Sequence, residues 1–249
     1  MKKQNKDLII GWHPVQEALD ARKELTRVLV QRGAADERLR EMVRQLHAMD
    51  VPVQKVPKEK LDRLTGRAHQ GIIAFASPIE YVPLDEMIAR TYEQGLDPVL
   101  VALDGVTDVG NLGAIARSAE CFGATGLIVE TTGGAPANAD AVRASSGALL
   151  RLPVARVTDM KKALKFLGES GLNLVALTEK SEVDLADCNI SSPCCIVAGS
   201  EHTGISQGVW NVCHVHARIP MTGHTGSLNV GVATGIALYT RQQVTSIKS

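Results

Sequence analysis

The sequence predicts an α/β protein with a largely parallel sheet, and two observations support this prediction. Short β-branched or apolar segments alternate with amphipathic helical segments along most of the chain, as in sheets that are covered by helices. The segment PVLVALDGV, residues 98–106, is apolar almost throughout, which is typical of a parallel strand buried on both faces. Ligand sites in such folds lie beyond the carboxyl ends of the strands, so the residues that follow each strand are the functional candidates.

Residues 1–77 are predicted to form a small αβ domain. Its clearest helix covers residues 34–50, because apolar side chains recur there at spacings of three and four, at Leu39, Met42, Val43, Leu46 and Met49. Two further helices are predicted at 13–20 and 57–65, each with a proline near its first turn. Strands are predicted at 7–10, 26–31, 51–56 and 71–77.

The rest of the chain is divided into a linker and a second αβ domain. Residues 78–97 are the predicted linker, since two prolines precede a short amphipathic helix that ends before a glycine. Residues 98–249 form the second domain. Further strands are predicted there at 125–130, 152–157, 172–178, 194–200 and 213–220. Helices are predicted at 110–123, 139–150, 158–170 and from about Ser227 onward.

The charge of the chain gives little indication of its partner. The 249 residues are enough for one or two domains, and the formal net charge of +0 does not indicate nucleic acid. Residues 1–80 hold 15 Lys and Arg against 11 Asp and Glu, whereas residues 81–249 hold 12 against 16. The basic surplus of the first part fits a solvated helical face and a nucleic-acid surface equally well.

The cysteines indicate a reducing compartment. None belongs to a C-x-x-C pair, and an odd number does not complete a disulfide framework. We therefore expect a cytoplasmic protein with reduced, buried thiols at Cys121, Cys188, Cys194, Cys195 and Cys213. The opening segment MKKQNKDLII has too few apolar residues after its basic head to be a signal peptide.

One uncharged run, Ile219 to Thr240, is long enough to span a bilayer. It contains Pro220, four glycines and several hydroxyl groups, but few bulky apolar side chains. We therefore predict a polar loop followed by a buried helix of small residues, with Ser227 as the N-cap of that helix.

Two strand ends carry polar residues that admit a structural or a functional interpretation. Arg117 lies on the helix of small and apolar residues that follows the strand at 98–106. Its guanidinium either reaches solvent or binds a phosphate or carboxylate. Asn111, at the start of that helix, fits a simple N-cap as well as a functional residue. Glu201 stands in the glycine-containing segment after another strand, as a turn cap or a functional carboxylate.

Other patterns give weaker indications. His214 and His216 share a strand face, but no third ligand accompanies them in the sequence, so no metal is expected. The dinucleotide fingerprint G-x-G-x-x-G, the phosphate-loop pattern G-x-x-x-x-G-K-[ST] and the hydrolase pattern G-x-S-x-G are all absent from the sequence.

Three segments together resemble the motifs of a known enzyme family. NLGAIAR (111–117), GSEHTGIS (199–206) and IPMTGHTGSLNVGVATGIALY (219–239) are similar, in order and spacing, to the motifs of the SpoU (TrmH-type) branch of the SPOUT RNA 2′-O-methyltransferases. The N-terminal segments GWHPVQEAL and HQGIIAFASP resemble the RNA-binding domain of one subgroup, the bacterial 23S rRNA guanosine 2′-O-methyltransferases. Near relatives of that subgroup act on tRNA.

This resemblance implies both a fold and an activity. The fold is a SPOUT-type parallel sheet with a C-terminal trefoil knot, preceded by a small αβ RNA-binding domain. The activity is 2′-O-methylation of a ribose, with S-adenosylmethionine as donor and a guanosine in the peptidyl-transferase region of 23S rRNA as the expected target. The family also implies a homodimer with its sites near the interface, and no membrane or metal partner is expected.

The resemblance assigns roles to individual residues. Five of them match the family's catalytic positions: Asn111, Arg117, Glu201, Ser227 and Asn229. Five others are expected to surround S-adenosylmethionine: Gly199, Ile219, Leu228, Thr178 and Met221. Two departures from the family stand out, since Gly231 occupies a position that is often Ser, and His202-Thr203 replace a commoner Gly-polar pair.

The expected reaction is in-line attack of a ribose 2′-hydroxyl on the donor methyl group, in which alignment alone can supply roughly 7–11 kcal/mol. An arginine side chain stays protonated in proteins, so we assign Arg117 to orienting phosphate and stabilising the developing alkoxide rather than to acting as a base. Ser227 and Asn229 are expected to position ribose or donor, and Glu201 to hold Arg117 or its own loop.

Three alternatives to this function are considered. The first is the same chemistry on tRNA. The second is a catalytically silent RNA-binding or ribosome-assembly module, against which the intact Asn111, Arg117, Glu201 and Asn229 argue. The third is a nucleotide-dependent oxidoreductase, whose glycine fingerprint the sequence lacks.

Overall fold

The computed structural model describes residues 8–33, 36–191 and 193–248, with side chains up to Val244. Asp7 of the first predicted strand, and Ala34 and Ala35 of the predicted helix at 34–50, lie outside the described residues. The chain divides into two compact units after Glu80.

The first unit has a mixed sheet. In chain order its elements are β1 (Leu8–Ile10), α1 (Trp12–Asp20), β2 (Leu25–Gln31), α2 (Glu37–Ala48), β3 (Val53–Val56), α3 (Lys58–Leu64) and β4 (Ile72–Ala76). The strands lie in the order β1-β4-β2-β3, and β4 pairs antiparallel with both neighbours, whereas β2 and β3 pair in parallel. Successive strand side chains point to opposite faces, so this sheet has two apolar faces. Helices α1 and α2 pack on the face of Val28 and Val30, and α3 packs through Leu61 on the face of Leu29 and Ile73.

The clearest predicted helix is confirmed over Glu37–Ala48. It buries Leu39, Met42 and Leu46, as the spacing pattern requires. Met49, the last apolar residue of that pattern, is exposed because the helix ends before it.

The second unit is built on a parallel sheet, as predicted. Its elements are α4 (Leu84–Glu93), β5 (Val99–Asp104), α5 (Val109–Cys121), β6 (Gly126–Glu130), α6 (Ala139–Ala144), β7 (Val154–Val157), α7 (Met160–Glu169), β8 (Asn173–Leu177), β9 (Cys194–Gly199), α8 (Gln207–Trp210), β10 (Val215–Ala217) and α9 (Val230–Lys248). The strand order is β10-β8-β9-β5-β6-β7, and each pairing among the described residues is parallel. Every residue of β5 is buried, as its apolar sequence predicts. The trefoil knot stays a prediction.

The segment assigned to a linker belongs largely to this second unit. The division after Glu80 places residues 81–97 with it, and the α4 side chains of Met87 and Ile88 are buried in its core.

Three predictions about the second unit are wrong in detail. The helix at 139–150 breaks after Ala144, because Ser146 and Gly147 take positive φ values of 53° and 82°, and a short 3-10 turn follows. The last helix begins at Val230 rather than at Ser227. Among the cysteines, Cys121 is exposed and Cys213 is only partly buried.

The strand order locates a site. The chain leaves β5 toward β6 and β7 on one side, while β9, β8 and β10 lie on the other side. The carboxyl ends of β5 and β9 therefore meet at a topological switch point, the usual ligand position in parallel sheets, and the cleft described below lies one strand further over, at the ends of β8, β9 and β10. Within the described part of the chain, no helix is long and apolar enough to cross a membrane.

Candidate active site

A cleft of about 190 Å³ opens at the carboxyl ends of β8, β9 and β10. A single water needs roughly 10–15 Å³ by such a measure, so the cleft has room for an organic ligand. The five residues predicted to surround S-adenosylmethionine all line this cleft: Thr178, Gly199, Ile219, Met221 and Leu228. The geometry therefore brings them together, and their contact with a donor stays a prediction.

The cleft also contains residues that the sequence analysis did not select. Glu179 and Lys180 follow Thr178 at the end of β8, and Ala233 and Thr234 come from α9. Glu179 and Lys180 could have been found by extending the strand-end rule from Thr178 to its next two neighbours. With Glu201 also in the lining, the cleft is less free of charge than the uncharged run alone indicated.

The loop after β9 is closed on itself by the backbone. The N–H of Ser200 donates to the carbonyl of Gly204 at 3.0 Å, and the N–H of Gly204 donates back to Ser200 at 2.8 Å. A Cβ on Gly199 would lie 2.4 Å from the carbonyl carbon of Gly204 and 2.5 Å from the nitrogen of Ile205. Only glycine fits at position 199 without a backbone shift, so this residue sets the fold of the loop that carries Glu201.

A buried carboxylate holds the end of the same loop. Asp104, which is only 6% exposed, accepts from the Ser206 N–H at 2.6 Å and from the Ser206 hydroxyl at 3.2 Å. The next residue, Gly105, donates its N–H to Glu130 at 2.8 Å. Burial raises the pKa of the Glu130 carboxyl, and the nearby Asp104 raises it further against the lowering effect of the Gly105 bond.

Three of the predicted catalytic residues meet at the amide of Asn229, an arrangement we call the motif junction (Asn111, Glu201 and Asn229). Asn229 Nδ2 donates to Asn111 Oδ1 at 2.9 Å and to Glu201 Oε1 at 2.7 Å. Asn229 Oδ1 accepts from the N–H groups of Gly231 and Val232 at 2.9 and 3.2 Å, so Asn229, not Ser227, caps α9. Both protons and the oxygen of this amide are thus engaged, and the junction links all three sequence motifs.

The junction changes the expectations for two residues. The Glu201 carboxylate accepts from Asn229 and makes no contact with Arg117 among the described residues, so the predicted pairing with Arg117 is not formed, and its role in holding its own loop stays a prediction. Asn111 is not the N-cap of α5, because Asp108 Oδ1 accepts from the Asn111 N–H at 2.8 Å and fills that role. The Asn111 side chain is thereby left for the junction.

Arg117 lies apart from the junction. It stands six residues after Asn111 on α5, which corresponds to about 9 Å along the helix axis. Its side chain is exposed, and among the residues that the structure describes none forms an ion pair or hydrogen bond with it. Ser227 is also exposed and lies at the cleft.

Close packing between α9 and α5 explains the glycine at position 231. A Cβ at this position would lie 3.1 Å from the Cβ of Ala114 and 3.1 Å from Asn229 Oδ1. Glycine therefore lets α9 approach α5 beside the junction, where a serine would require its neighbours to shift.

The remaining candidate ligands have structural partners. His214 Nδ1 accepts from the Leu174 N–H at 3.1 Å. The ring of His216 stacks on the ring of Trp210, with the two centroids 3.9 Å apart. No group of three or more His, Cys, Asp or Glu side chains in the described ranges could hold a metal ion. Burial raises the pKa of the Cys194 thiol to about 11 and that of Cys213 to about 12, so both are protonated and unreactive near neutral pH.

Fold and cleft together define an α/β protein with a cleft suited to a small ligand at the carboxyl ends of a parallel sheet. Comparison with known proteins identifies its family. Residues 98–239 match the SpoU rRNA methylase family, and residues 8–82 match the domain described as RNA 2′-O ribose methyltransferase substrate binding. The chain belongs to the SpoU rRNA methylase family, a family of RNA methyltransferases.

Relatives and solved structures agree with this assignment. A Mycobacterium sp. (strain KMS) protein named as an uncharacterized tRNA/rRNA methyltransferase is 38% identical over 234 residues, covering 93% of this chain and 74% of that protein. A Staphylococcus epidermidis protein assigned to the TrmH family of tRNA/rRNA methyltransferases is 32% identical, over 93% of each chain. The SpoU methyltransferase AviRb of Streptomyces viridochromogenes, solved in complex with AdoMet, has a TM-score of 0.62 at 25% identity over 97% of this chain and 91% of its own. An AdoMet-bound rRNA methyltransferase of Sinorhizobium meliloti has a TM-score of 0.59 at 26% identity over 95% and 87% of the chains.

Proposed function

We propose that this protein transfers a methyl group from S-adenosylmethionine to a ribose 2′-hydroxyl of RNA in the cytoplasm. The proposed target is a guanosine in the peptidyl-transferase region of 23S rRNA. One observation carries the proposal: the cleft that gathers the five expected donor-binding residues also contains Glu201 of the motif junction. The family assignment and the AdoMet complex of AviRb support it.

The cleft has the chemistry that a sulfonium compound requires. Such a donor carries a positive charge and supplies an electrophilic methyl group. The two carboxylates of the lining, Glu179 and Glu201, outnumber its one lysine, Lys180, and this negative balance would stabilise a cation. The backbone at Gly199 and Ile219 can bind a flat heterocycle by hydrogen bonds. Met221 and Leu228, 39% and 38% exposed, give the rim apolar contacts that a bound ligand would cover.

Arg117 is the residue proposed to act on the RNA. A free guanidinium has five donors in a planar fork that matches a phosphate. Arg117 would orient the phosphate next to the reacting ribose and stabilise the negative charge that develops on the 2′-oxygen. Ser227, exposed at the cleft, is placed to contact ribose or donor.

The protein is proposed to act as a homodimer. Helix α9 exposes apolar side chains at helical spacing, with Val232 51%, Ile236 36% and Tyr239 51% exposed. The Tyr239 ring also contacts Phe122 at the end of α5, with centroids 5.9 Å apart. A second copy of the chain would cover this stripe.

The experiment is methyl transfer from labelled S-adenosylmethionine to transcripts of 23S rRNA and to tRNA, followed by mapping of the modified nucleotide. The expected result is one 2′-O-methylguanosine in 23S rRNA. Methylation of tRNA alone would replace the rRNA target, and RNA binding without any methyl transfer would show the silent module instead.

A further inference from the structure

One sheet face of the first unit presents an arginine over an aromatic ring. Arg27 on β2 and Phe75 on β4 are directly opposite partners in the antiparallel pair, and the guanidinium carbon lies 4.5 Å from the ring centroid. Arg27 is exposed and Phe75 is half-buried. Since Phe75 packs against the same apolar cluster as Leu61 of α3, this pair borders α3. We call it the Arg27–Phe75 platform.

The positive charge beside the platform is largely uncompensated. Lys60, Arg63 and Arg67, on α3 and the turn after it, are exposed, and no ion pair in the described part of the chain involves them. Two exposed carboxylates lie among them: Glu59 has no ion pair within the described residues, and Asp62 is engaged by Lys58 and by His69.

The helices on the other face differ in this respect. Helix α2 carries basic residues too, but Arg40 pairs with Glu37 at 3.0 Å and Arg44 pairs with Glu37 and Glu41. Its positive charge is therefore neutralised along the helix itself. The α3 side therefore offers unpaired cations to a polyanion, whereas the arginines of α2 are paired.

We propose that the Arg27–Phe75 platform, with Lys60, Arg63 and Arg67, binds an unpaired segment of the substrate RNA. Bases in loops and bulges expose flat faces that stack on aromatic rings and guanidinium planes, whereas paired bases do not. The lysine and arginine side chains would contact the phosphates on either side of the stacked base. This inference rests on the proposed function, because it takes RNA as the substrate.

The test measures binding of the full-length protein to a 23S rRNA transcript without S-adenosylmethionine, across a series of salt concentrations. F75L keeps an apolar side chain against the sheet but removes the ring, and R27A removes the guanidinium. Each is expected to weaken binding about tenfold.

F75Y keeps the ring and should bind like the wild type. R40A is the matched control, since it removes an arginine that is already paired, and it should bind within about twofold of wild type.

The salt dependence separates the two parts of the surface. K60A/R63A should lower the slope of log K against log salt, because phosphate contacts release counterions, and F75L should leave that slope unchanged. Melting curves serve to check that each variant is folded.

The proposal is overturned if folded F75L and R27A bind the transcript as the wild type does, or if R40A weakens binding as much as R27A. A change in oligomeric mass of F75L with unchanged RNA binding would overturn it in favour of a contact between copies. The proposed function fails separately. If no RNA accepts a methyl group but binding still depends on Phe75 and Arg27, the platform stands and the methyl transfer does not.

Discussion

Helix α5 carries two polar residues of the first motif, Asn111 and Arg117, and only one of them has a hydrogen-bond partner within the described residues. Asn111 is bound into the motif junction through Asn229, whose amide is engaged at both protons and at its oxygen. Arg117, six residues further on, is exposed and has no ion pair or hydrogen bond within the described residues. A side chain that is hydrogen-bonded within its own protein is suited to hold a site in shape, and a cation without a partner is suited to act on a ligand. We therefore propose that the junction holds the site in shape and that Arg117 contacts the RNA.

The strongest way to break this comparison is Arg117→Ala. We expect the rate of methyl transfer to fall by at least about a hundredfold, the usual cost of removing a donor to a developing oxyanion. Binding of S-adenosylmethionine, measured by calorimetry, should stay within about twofold, because Arg117 does not line the cleft. Retained turnover would show that the free guanidinium has no role in the reaction.

The loop that carries Glu201 of the junction is also held at its end, where Asp104 accepts from Ser206. Asp104→Asn tests this contact. The variant has one acceptor oxygen in place of two, so one of the two Ser206 donors loses its partner. A buried group left unsatisfied costs about 1–3 kcal/mol. About 1.4 kcal/mol of this, transmitted through the loop that carries Glu201, would weaken the binding of S-adenosylmethionine roughly tenfold. Donor affinity and KM for S-adenosylmethionine should change more than kcat.

Ser206→Ala is the control for Asp104→Asn. It removes only the longer of the two contacts and keeps the backbone donor, so its effect should be smaller. Equal donor binding in Asp104→Asn and wild type would mean that Asp104 does not fix the loop.

How much of this could be predicted from the sequence depends on how local the cause is. The parallel sheet follows from the alternation of elements, and the cleft-lining positions follow from strand ends and motif likeness, as Thr178 and Gly199 show. The junction could not be derived, because it joins residues 118 positions apart in sequence through a side-chain geometry. The N-cap at Ser227 was plausible by residue type, yet Asn229 can accept from the helix and donate to two motifs at once. Likewise, Gly231 is explained only by the approach of Ala114.

Asn229→Asp tests the junction from its centre. It replaces the amide that donates to Asn111 and Glu201 by a carboxylate, which can only accept. The new carboxylate still caps α9 but lies against Glu201, and two close carboxylates raise each other's pKa. We expect a loss of about 1 kcal/mol in the free energy of unfolding near neutral pH, and a smaller loss at lower pH, where the pair can share a proton. Thermal melts across pH measure this dependence.

The double variant E201Q/N229D tests whether hydrogen-bond direction is the cause. Its new amide at position 201 can donate to the new carboxylate, so stability should recover and lose most of its added pH dependence. If the double variant is no more stable than Asn229→Asp alone, the contact between these two side chains does not hold the junction together.

The smallest expected effect is that of Glu130→Gln. Glu130 accepts from the N–H of Gly105, the residue that follows Asp104. Burial raises the pKa of Glu130, so this carboxyl holds its proton more tightly in the folded protein than in the unfolded chain. Its contribution to stability is fully present below the ordinary pKa of a glutamate and is lost as pH rises through the raised value. Glutamine stays neutral at every pH and can still accept from the Gly105 N–H. The melting temperature of the wild type should therefore fall relative to Glu130→Gln as pH rises from acid toward neutral. Because Glu130 is only half-buried, solvent keeps this difference small, and parallel curves for the two proteins would show that the charge on Glu130 does not oppose folding.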